Sequence, residues 1–384
     1  MQEMRRIYLD HNATTPLDPR VRDEMLEAMA ATHGNPSSVH RFGQAARERV
    51  EAARDRVAAL VGAKPPELVF TASGTEANNA VILSCGRRAE WRGHLVISAF
   101  EHPSVLAAAD RAEAEGMTVS RVPPDGDGRV AAEAMLAAIR EDTRLVCLML
   151  ANNEIGTLQP VAELAAGCRD HGVPVLCDAV QAVGKIGVRV DELEVDYLTL
   201  GAHKFYGPLG AAALWVRGGA QFEPLLVGGG QERRRRAGTV NVPAVAGLGR
   251  AAELAAAELS ERGAHTARLR GRFEDEVRGL GEVVIHGEKA PRLPNTSHLA
   301  FSGIDAEALM IRLDLDGFAV STGSACSAGA VEPSDALLAM GLSRDEALSS
   351  LRVSFGPTNS DEEVTAFLGA VGRQLTELRR LATA

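Results

Sequence analysis

The chain has 384 residues, is 46% apolar and 24% charged, and carries a formal net charge of -10. That size and balance describe a globular protein of two domains, or of one large domain with a smaller one packed on it. The acidic charge argues against a general nucleic-acid binder, which needs a basic surface. The longest apolar runs, such as Leu145 to Leu150, are far too short to span a bilayer.

In chain order, the opening "MQEMRRIYLDHNATT" lacks the apolar core of a signal peptide, so a cytoplasmic location is expected. "RERVEAARDRVAALVGA" sets Val50, Ala53, Val57, Leu60 and Val61 on one helical face and stops at a glycine. "ELVF", "HLVIS", "RLVCLML", "VPVLC" and "DYLTL" follow as short apolar strands. Amphipathic helical stretches such as "SVLAAADRAEAEG", "AAEAMLAAIRED" and "PVAELAAGCRDHG" lie between them. Apolar strands separated by helices predict an α/β unit whose mostly parallel sheet is covered on both faces. The run Arg233 to Arg236, taken alone, reads as a solvated basic turn. Past about residue 245 the pattern changes to one long Ala/Leu/Glu/Arg helix, "VVIHG", "TSHLAFSG", a helix from Asp305 to Leu315, "FAVST" and "SLRVSFG". This predicts a smaller α+β unit, with which the N-terminal segment can pack.

The five cysteines are Cys85, Cys147, Cys168, Cys177 and Cys326. The odd number and the lack of any CxxC pair predict reduced thiols, with neither a disulfide framework nor a metal site. Cys147 and Cys177 fall in strands and Cys85 and Cys168 on helices, where a small apolar residue suits packing. Only Cys326, in "STGSACSAGA", has a setting that packing does not explain.

Ligands of open α/β sheets bind beyond the carboxyl ends of the strands. Successive strand ends here deliver "TASGTEANN" (Thr71 to Asn79), Glu101-His102, Asn152-Asn153-Glu154, Asp178 with Gln181, and His203-Lys204. Each alone has an ordinary structural explanation. The first can be a helix N-cap, His102 a loop histidine, Asp178 a cap and Lys204 a surface lysine. Together they share one edge of one sheet. A helix start rich in hydroxyls binds anions through free backbone N–H groups, yet neither GxGxxG nor GxxxxGK[ST] is present. Phosphate cradle, carboxylate, amides, histidine and lysine together match the needs of pyridoxal 5'-phosphate, whose aldehyde condenses with a lysine and whose ring nitrogen pairs with an acid.

At these residues the sequence resembles a known family. "YLDHNATTP", "GNPSSVHRFGQAAR", "FTASGTEANN", "EHPSVL", "NNEIGTLQP", "DAVQAVGK", "GAHKFYGPLG", "GGGQERRRRAGT" and "STGSACSAG" are similar to motifs of the cysteine desulfurases, in the same order along nearly the whole chain. These are fold-type I, class V aminotransferase-like enzymes. The longer cysteine loop resembles the group I branch, typified by nitrogen-fixation and housekeeping iron–sulfur enzymes.

The resemblance implies a large cofactor-binding domain at 16–255 and a small domain at 1–15 and 256–384 carrying the Cys326 loop. It implies that Lys204 holds pyridoxal 5'-phosphate covalently, that Asp178 pairs with its ring nitrogen, and that His102 stacks on the ring and shuttles protons. Gln181 and Asn153 would hydrogen-bond near the ring oxygen or the substrate. Gly74, Thr75 and His203 would hold the phosphate. Thr239 would reach the phosphate of a neighbouring subunit, implying a homodimer. Arg352 would clamp the substrate carboxylate, with Asn35 near the same site. L-cysteine would become L-alanine while Cys326 takes the sulfur as a persulfide. An acceptor such as an iron–sulfur scaffold or a thiolation protein would receive it. Neither nucleic acid nor a membrane is an expected direct partner.

Two positions depart from the family pattern. Gly201 stands where a phosphate-binding serine is usual, a loss worth roughly 1.5–3 kcal/mol unless a neighbour such as Ser73 substitutes. Leu209 replaces a common basic residue. A selenocysteine lyase, an ordinary aminotransferase and a non-catalytic scaffold are the competing readings. The last two leave the pairing of Lys204 with a loop cysteine unexplained.

Overall fold

The structure is a computed structural model and describes residues 6–322 and 332–382. Its centre is a seven-stranded sheet in the order Leu68–Thr71, Ala212–Val216, Tyr197–Gly201, Val175–Asp178, Thr143–Cys147, His94–Ser98, Thr118–Val122. Ala212–Val216 runs antiparallel to both its neighbours, and every other pairing is parallel. Side chains alternate across a pleated sheet. Val96, Val146 and Ala213 accordingly enter one apolar cluster, and Leu95, Ile97, Leu145 and Leu214 the opposite one. Burial on both faces is why these strands read as unbroken apolar runs.

The helices follow their local signals. Arg41–Val61 buries Val50, Ala53, Val57 and Val61 and ends at Gly62, which adopts φ 68° as a left-handed cap. The predicted helix in "AAEAMLAAIRED" is shorter than its periodicity suggested and covers only Ala132–Ala137. A smaller antiparallel sheet orders Ser350–Ser354, Thr296–Phe301 and Val283–Ile285. Its own core includes Leu299, Leu351, Val353, Phe367 and Phe273. The 36-residue helix Val242–Val277 joins the two units, burying Leu248 and Ala252 in the large core and Leu269 and Phe273 in the small one. Ile7–Tyr8 pairs in parallel with Phe318–Ala319. The chain then crosses to the large unit, where the Thr15 amide donates to the His203 carbonyl at 2.9 Å. No helix among the described residues is long and apolar enough to cross a membrane.

The basic run does more than the solvated turn expected of it. Glu232, Arg233 and Arg234 all sit at positive φ, a region that costs non-glycine residues about 1–3 kcal/mol each. The Glu232 carboxylate is buried and accepts two hydrogen bonds from Arg54, both 2.9 Å, and one from the Phe70 amide at 2.9 Å. Arg236 pairs with Glu76 at 2.9 Å. The turn is therefore anchored in the large core and to the helix Gly74–Arg88. Glu232→Gln would leave the buried Arg54 guanidinium with only the half-exposed Glu51 carboxylate as counter-charge, and we expect a loss of roughly 1.5–3 kcal/mol in denaturant unfolding. A loss under about 1 kcal/mol would contradict the anchoring.

Candidate active site

A cavity of about 360 Å³ opens beyond the carboxyl ends of the parallel strands. Gly74, Thr75, His102, Asn153, Asp178, Gln181, His203, Lys204 and Arg352 all line it. Asn35 does not; it is exposed and accepts the Ser37 amide at 2.9 Å. Thr239 is exposed and also outside the lining. Cys326 lies outside the described residues.

One wall is the start of the helix Gly74–Arg88. Ser73 caps it by accepting the Glu76 amide at 3.0 Å, and Gly74 and Thr75 face the cavity in the first turn, where backbone N–H groups have no helical acceptor. One turn further on, Asn78 donates to Asp178 Oδ2 at 2.7 Å and to Ser104 Oγ at 3.0 Å. The other Asp178 oxygen accepts the Val180 amide at 2.9 Å. Ser104 completes a chain to His102. Its amide donates to His102 Nδ1 at 3.1 Å and its hydroxyl lies 2.8 Å from the same nitrogen. His102 Nδ1 is thus an acceptor, and burial, with help from the Lys204 charge, lowers its pKa so that the ring is neutral with its proton on Nε2. Burial first, then the neighbouring Asp178 charge, pushes Glu101 up to about 8. Glu101 is therefore neutral at pH 7 and adds no negative charge beside Asp178.

Lys204 ends the short turn Ala202–Lys204 that follows strand Tyr197–Gly201. Its Nζ donates to the carbonyls of Asn12 and Ala13 at 2.6 and 2.8 Å. Burial, reinforced by the Arg352 charge, lowers its pKa to about 8. His203, lowered to about 4 mainly by burial, lies 3.2 Å from Thr14 Oγ1 through Nδ1. Arg352 enters from the small sheet. The alternation of "SLRVSFG" sends Leu351 and Val353 into the small core and Arg352 toward the cavity. Its guanidinium pairs with Asp10 at 2.7 Å and donates to the Asn153 carbonyl at 3.0 Å. Among the described residues, its buried Nε has no partner.

The strand-end reading did not single out Asn12, Asn78, Ser104 or Lys185. Asn78 had a signal in the sequence, being a polar residue four positions after Gly74 on a buried helix face. Asn12 had none, because its neighbours come from positions 153, 181, 204, 295 and 296.

The geometry is that of an enzyme site built around a buried amine. A family model described as aminotransferase class-V matches residues 7–367. A cysteine desulfurase IscS of Dictyoglomus turgidum is 40% identical over 380 residues, covering 98% of this chain and 96% of its own length. Among solved structures, a NifS-like protein superposes with a TM-score of 0.91 at 37% identity, covering 97% of this chain and 100% of its own. SspA in complex with cysteine superposes with a TM-score of 0.81 at 32% identity, covering 92% and 99%. The chain belongs to the aminotransferase class-V family and, within it, to the pyridoxal-phosphate-dependent cysteine desulfurases.

Proposed function

We propose that this chain takes sulfur from L-cysteine, releases L-alanine, and passes the sulfur from Cys326 to an acceptor protein for iron–sulfur cluster assembly or thiolation. It works in the cytoplasm as a homodimer with pyridoxal 5'-phosphate in the cavity. The observation that carries this reading is the pairing, in one cavity, of a lysine amine with depressed pKa and a carboxylate held by Asn78 and Val180.

The residues fit the cofactor. The helix start at Gly74–Thr75 offers backbone donors suited to a phosphate, His203 adds a ring nitrogen beside it, and Ser73 keeps a hydroxyl proton to donate. A Cβ placed on Gly201 would find its nearest neighbours at 3.6 Å, so the family's serine could be accommodated there without strain. Lys204 would hold the aldehyde carbon, Asp178 the ring nitrogen, His102 the ring face, and Gln181 with Asn153 the ring-oxygen side. Thr239 would act on the cofactor phosphate of the second copy. When bound, the cofactor supplies an electron sink that makes the substrate Cα proton acidic.

The protein's own groups do the rest. Lys204 Nζ takes the Cα proton, and its lowered pKa keeps much of it neutral near pH 8. His102, protonated on Nε2, can return a proton. Arg352 receives the substrate carboxylate, and Asp10 and the Asn153 carbonyl fix its plane. The Cys326 thiolate takes the sulfur atom. Arg352→Lys keeps a cation for Asp10 but loses the planar fork. We expect the KM for L-cysteine to rise roughly 10- to 150-fold, the equivalent of one charged hydrogen bond, with kcat little changed. An unaltered KM would remove Arg352 from substrate binding.

The deciding experiment is anaerobic incubation of the purified protein with L-cysteine and a dithiol, which reduces the persulfide and frees its outer sulfur as sulfide, measuring alanine and sulfide together. Equal amounts of both are expected. Pyruvate with ammonia, or amino transfer to an added keto acid, would overturn the assignment. SspA, solved in complex with cysteine, supports the choice of substrate.

A further inference from the structure

A second lysine lies beside the cavity and has no part in the chemistry above. Lys185 is partly buried, and among the described residues no carboxylate pairs with it. Its Nζ donates to Gln181 Oε1 at 2.6 Å and to Asn12 Oδ1 at 2.9 Å. Gly184, at φ 79°, turns the chain back immediately before it, and a Cβ there would lie 2.4 Å from that of Phe205. The local backbone therefore carries a specific requirement for bringing this amine under the site.

Each amide in this network donates to a main-chain carbonyl, which can only accept. Asn12 Nδ2 donates to the Asn153 carbonyl at 3.2 Å, so its Oδ1 must face Lys185. Asn295 Nδ2 donates to the Phe355 carbonyl at 3.3 Å and to Asn12 Oδ1 at 3.1 Å. Gln181 Nε2 donates to the Asn12 carbonyl at 2.9 Å, the same oxygen that receives Lys204 at 2.6 Å. Lys185 is the donor that closes this circuit on Gln181 Oε1. Without it, a flipped Gln181 would lose its bond to the Asn12 carbonyl but would no longer set its NH2 group, a donor, against the donating Lys185 amine. Burial, with the charges of Lys204 and Arg352, favours the neutral form of Lys185, whose two N–H groups match its two acceptors.

We propose that Lys185 is a positioning residue: through Gln181 and Asn12 it fixes the donor face of Gln181 toward the ring-oxygen side of the cavity and steadies the carbonyls that hold Lys204. This rests on the role given to Gln181 under Proposed function. A donor beside an anionic ring oxygen favours the charged form. Losing the correct face leaves that oxygen more basic, which moves the pH midpoint of the bound cofactor's visible band upward.

The test uses cofactor-loaded protein, titrated by visible absorption from pH 6 to 10, with L-cysteine kinetics alongside. Lys185→Met is expected to raise the midpoint by about half a pH unit or more and to lower kcat roughly tenfold. KM, set by Arg352, should stay within about twofold. Lys185→Gln, which keeps an N–H donor, should recover at least half of the shift. In a Gln181→Ala background, adding Lys185→Met should move the midpoint no further. An unmoved midpoint in folded Lys185→Met overturns the proposal, as does an equal shift in both backgrounds. If Lys185→Met does not fold, Gln181→Glu tests the same contact from the other end. Its carboxylate keeps Lys185 but offers only acceptors to the cavity, so an unmoved midpoint there overturns the proposal too. Failure of the unsubstituted protein to take up pyridoxal 5'-phosphate would instead refute the function proposed above.

Discussion

Lys204→Ala is expected to lower turnover of L-cysteine by at least roughly a thousandfold, because it removes the base proposed to act at the reacting carbon. It should also abolish covalent retention of the cofactor after borohydride reduction, which needs a lysine amine. The same amine makes a second, quantitative statement. Burial and the Arg352 charge bring Lys204 to about 8 from its usual 10.5. At pH 7.5 about a quarter of it is then neutral, against about one part in a thousand for an ordinary lysine. Only the neutral amine attacks an aldehyde. The rate at which cofactor-free protein takes up pyridoxal 5'-phosphate should therefore climb through pH 7 and level off above about pH 8. A rate still climbing steeply past pH 10, or borohydride-stable colour in Lys204→Ala, would show that another group holds the cofactor.

Cys326→Ala should lose sulfide release from L-cysteine by roughly a hundredfold or more while the cofactor's visible spectrum stays unchanged, since its thiolate is the proposed sulfur acceptor. The other thiols offer no relief. Burial pushes Cys85 up to about 11 and Cys168 up to about 12. Cys147 and Cys177, in the sheet, are raised well above the ordinary thiol range, again by burial. None of these four presents a thiolate near neutral pH, so mass spectrometry after L-cysteine treatment should find one persulfide, on Cys326. Turnover at the wild-type rate in Cys326→Ala, or a persulfide on any other cysteine, would remove it from the mechanism.

Much of this is legible in the sequence. The apolar runs ending at Phe70, Ser98, Leu150 and Cys177 each supplied a strand of the large sheet, although the third strand ends at Cys147, three residues before its run does. The polar residues that follow them became the cavity wall. That works because a parallel sheet places all its carboxyl ends on one edge, so chain order alone groups residues that are far apart in sequence. His102, Asp178 and Lys204 needed nothing else to be found. Cys326 stood out by the opposite signal, a thiol with no bulky apolar neighbour in its stretch of sequence.

The chain's linear order thus determined the class of fold, the edge that carries the site, and the titratable groups facing it, since each depends on periodicity and strand ends within a few residues. Only tertiary structure decided what holds those groups in place. Arg352 meets Asp10 across 342 positions, Lys185 meets Asn12 across 173, and Arg54 meets Glu232 across 178. A buried polar group must find a partner, but local sequence does not say which distant one. That choice is made where the two units meet the N-terminal crossing, and the carbonyls of Asn12 and Ala13 in that crossing are what the Lys204 amine rests on.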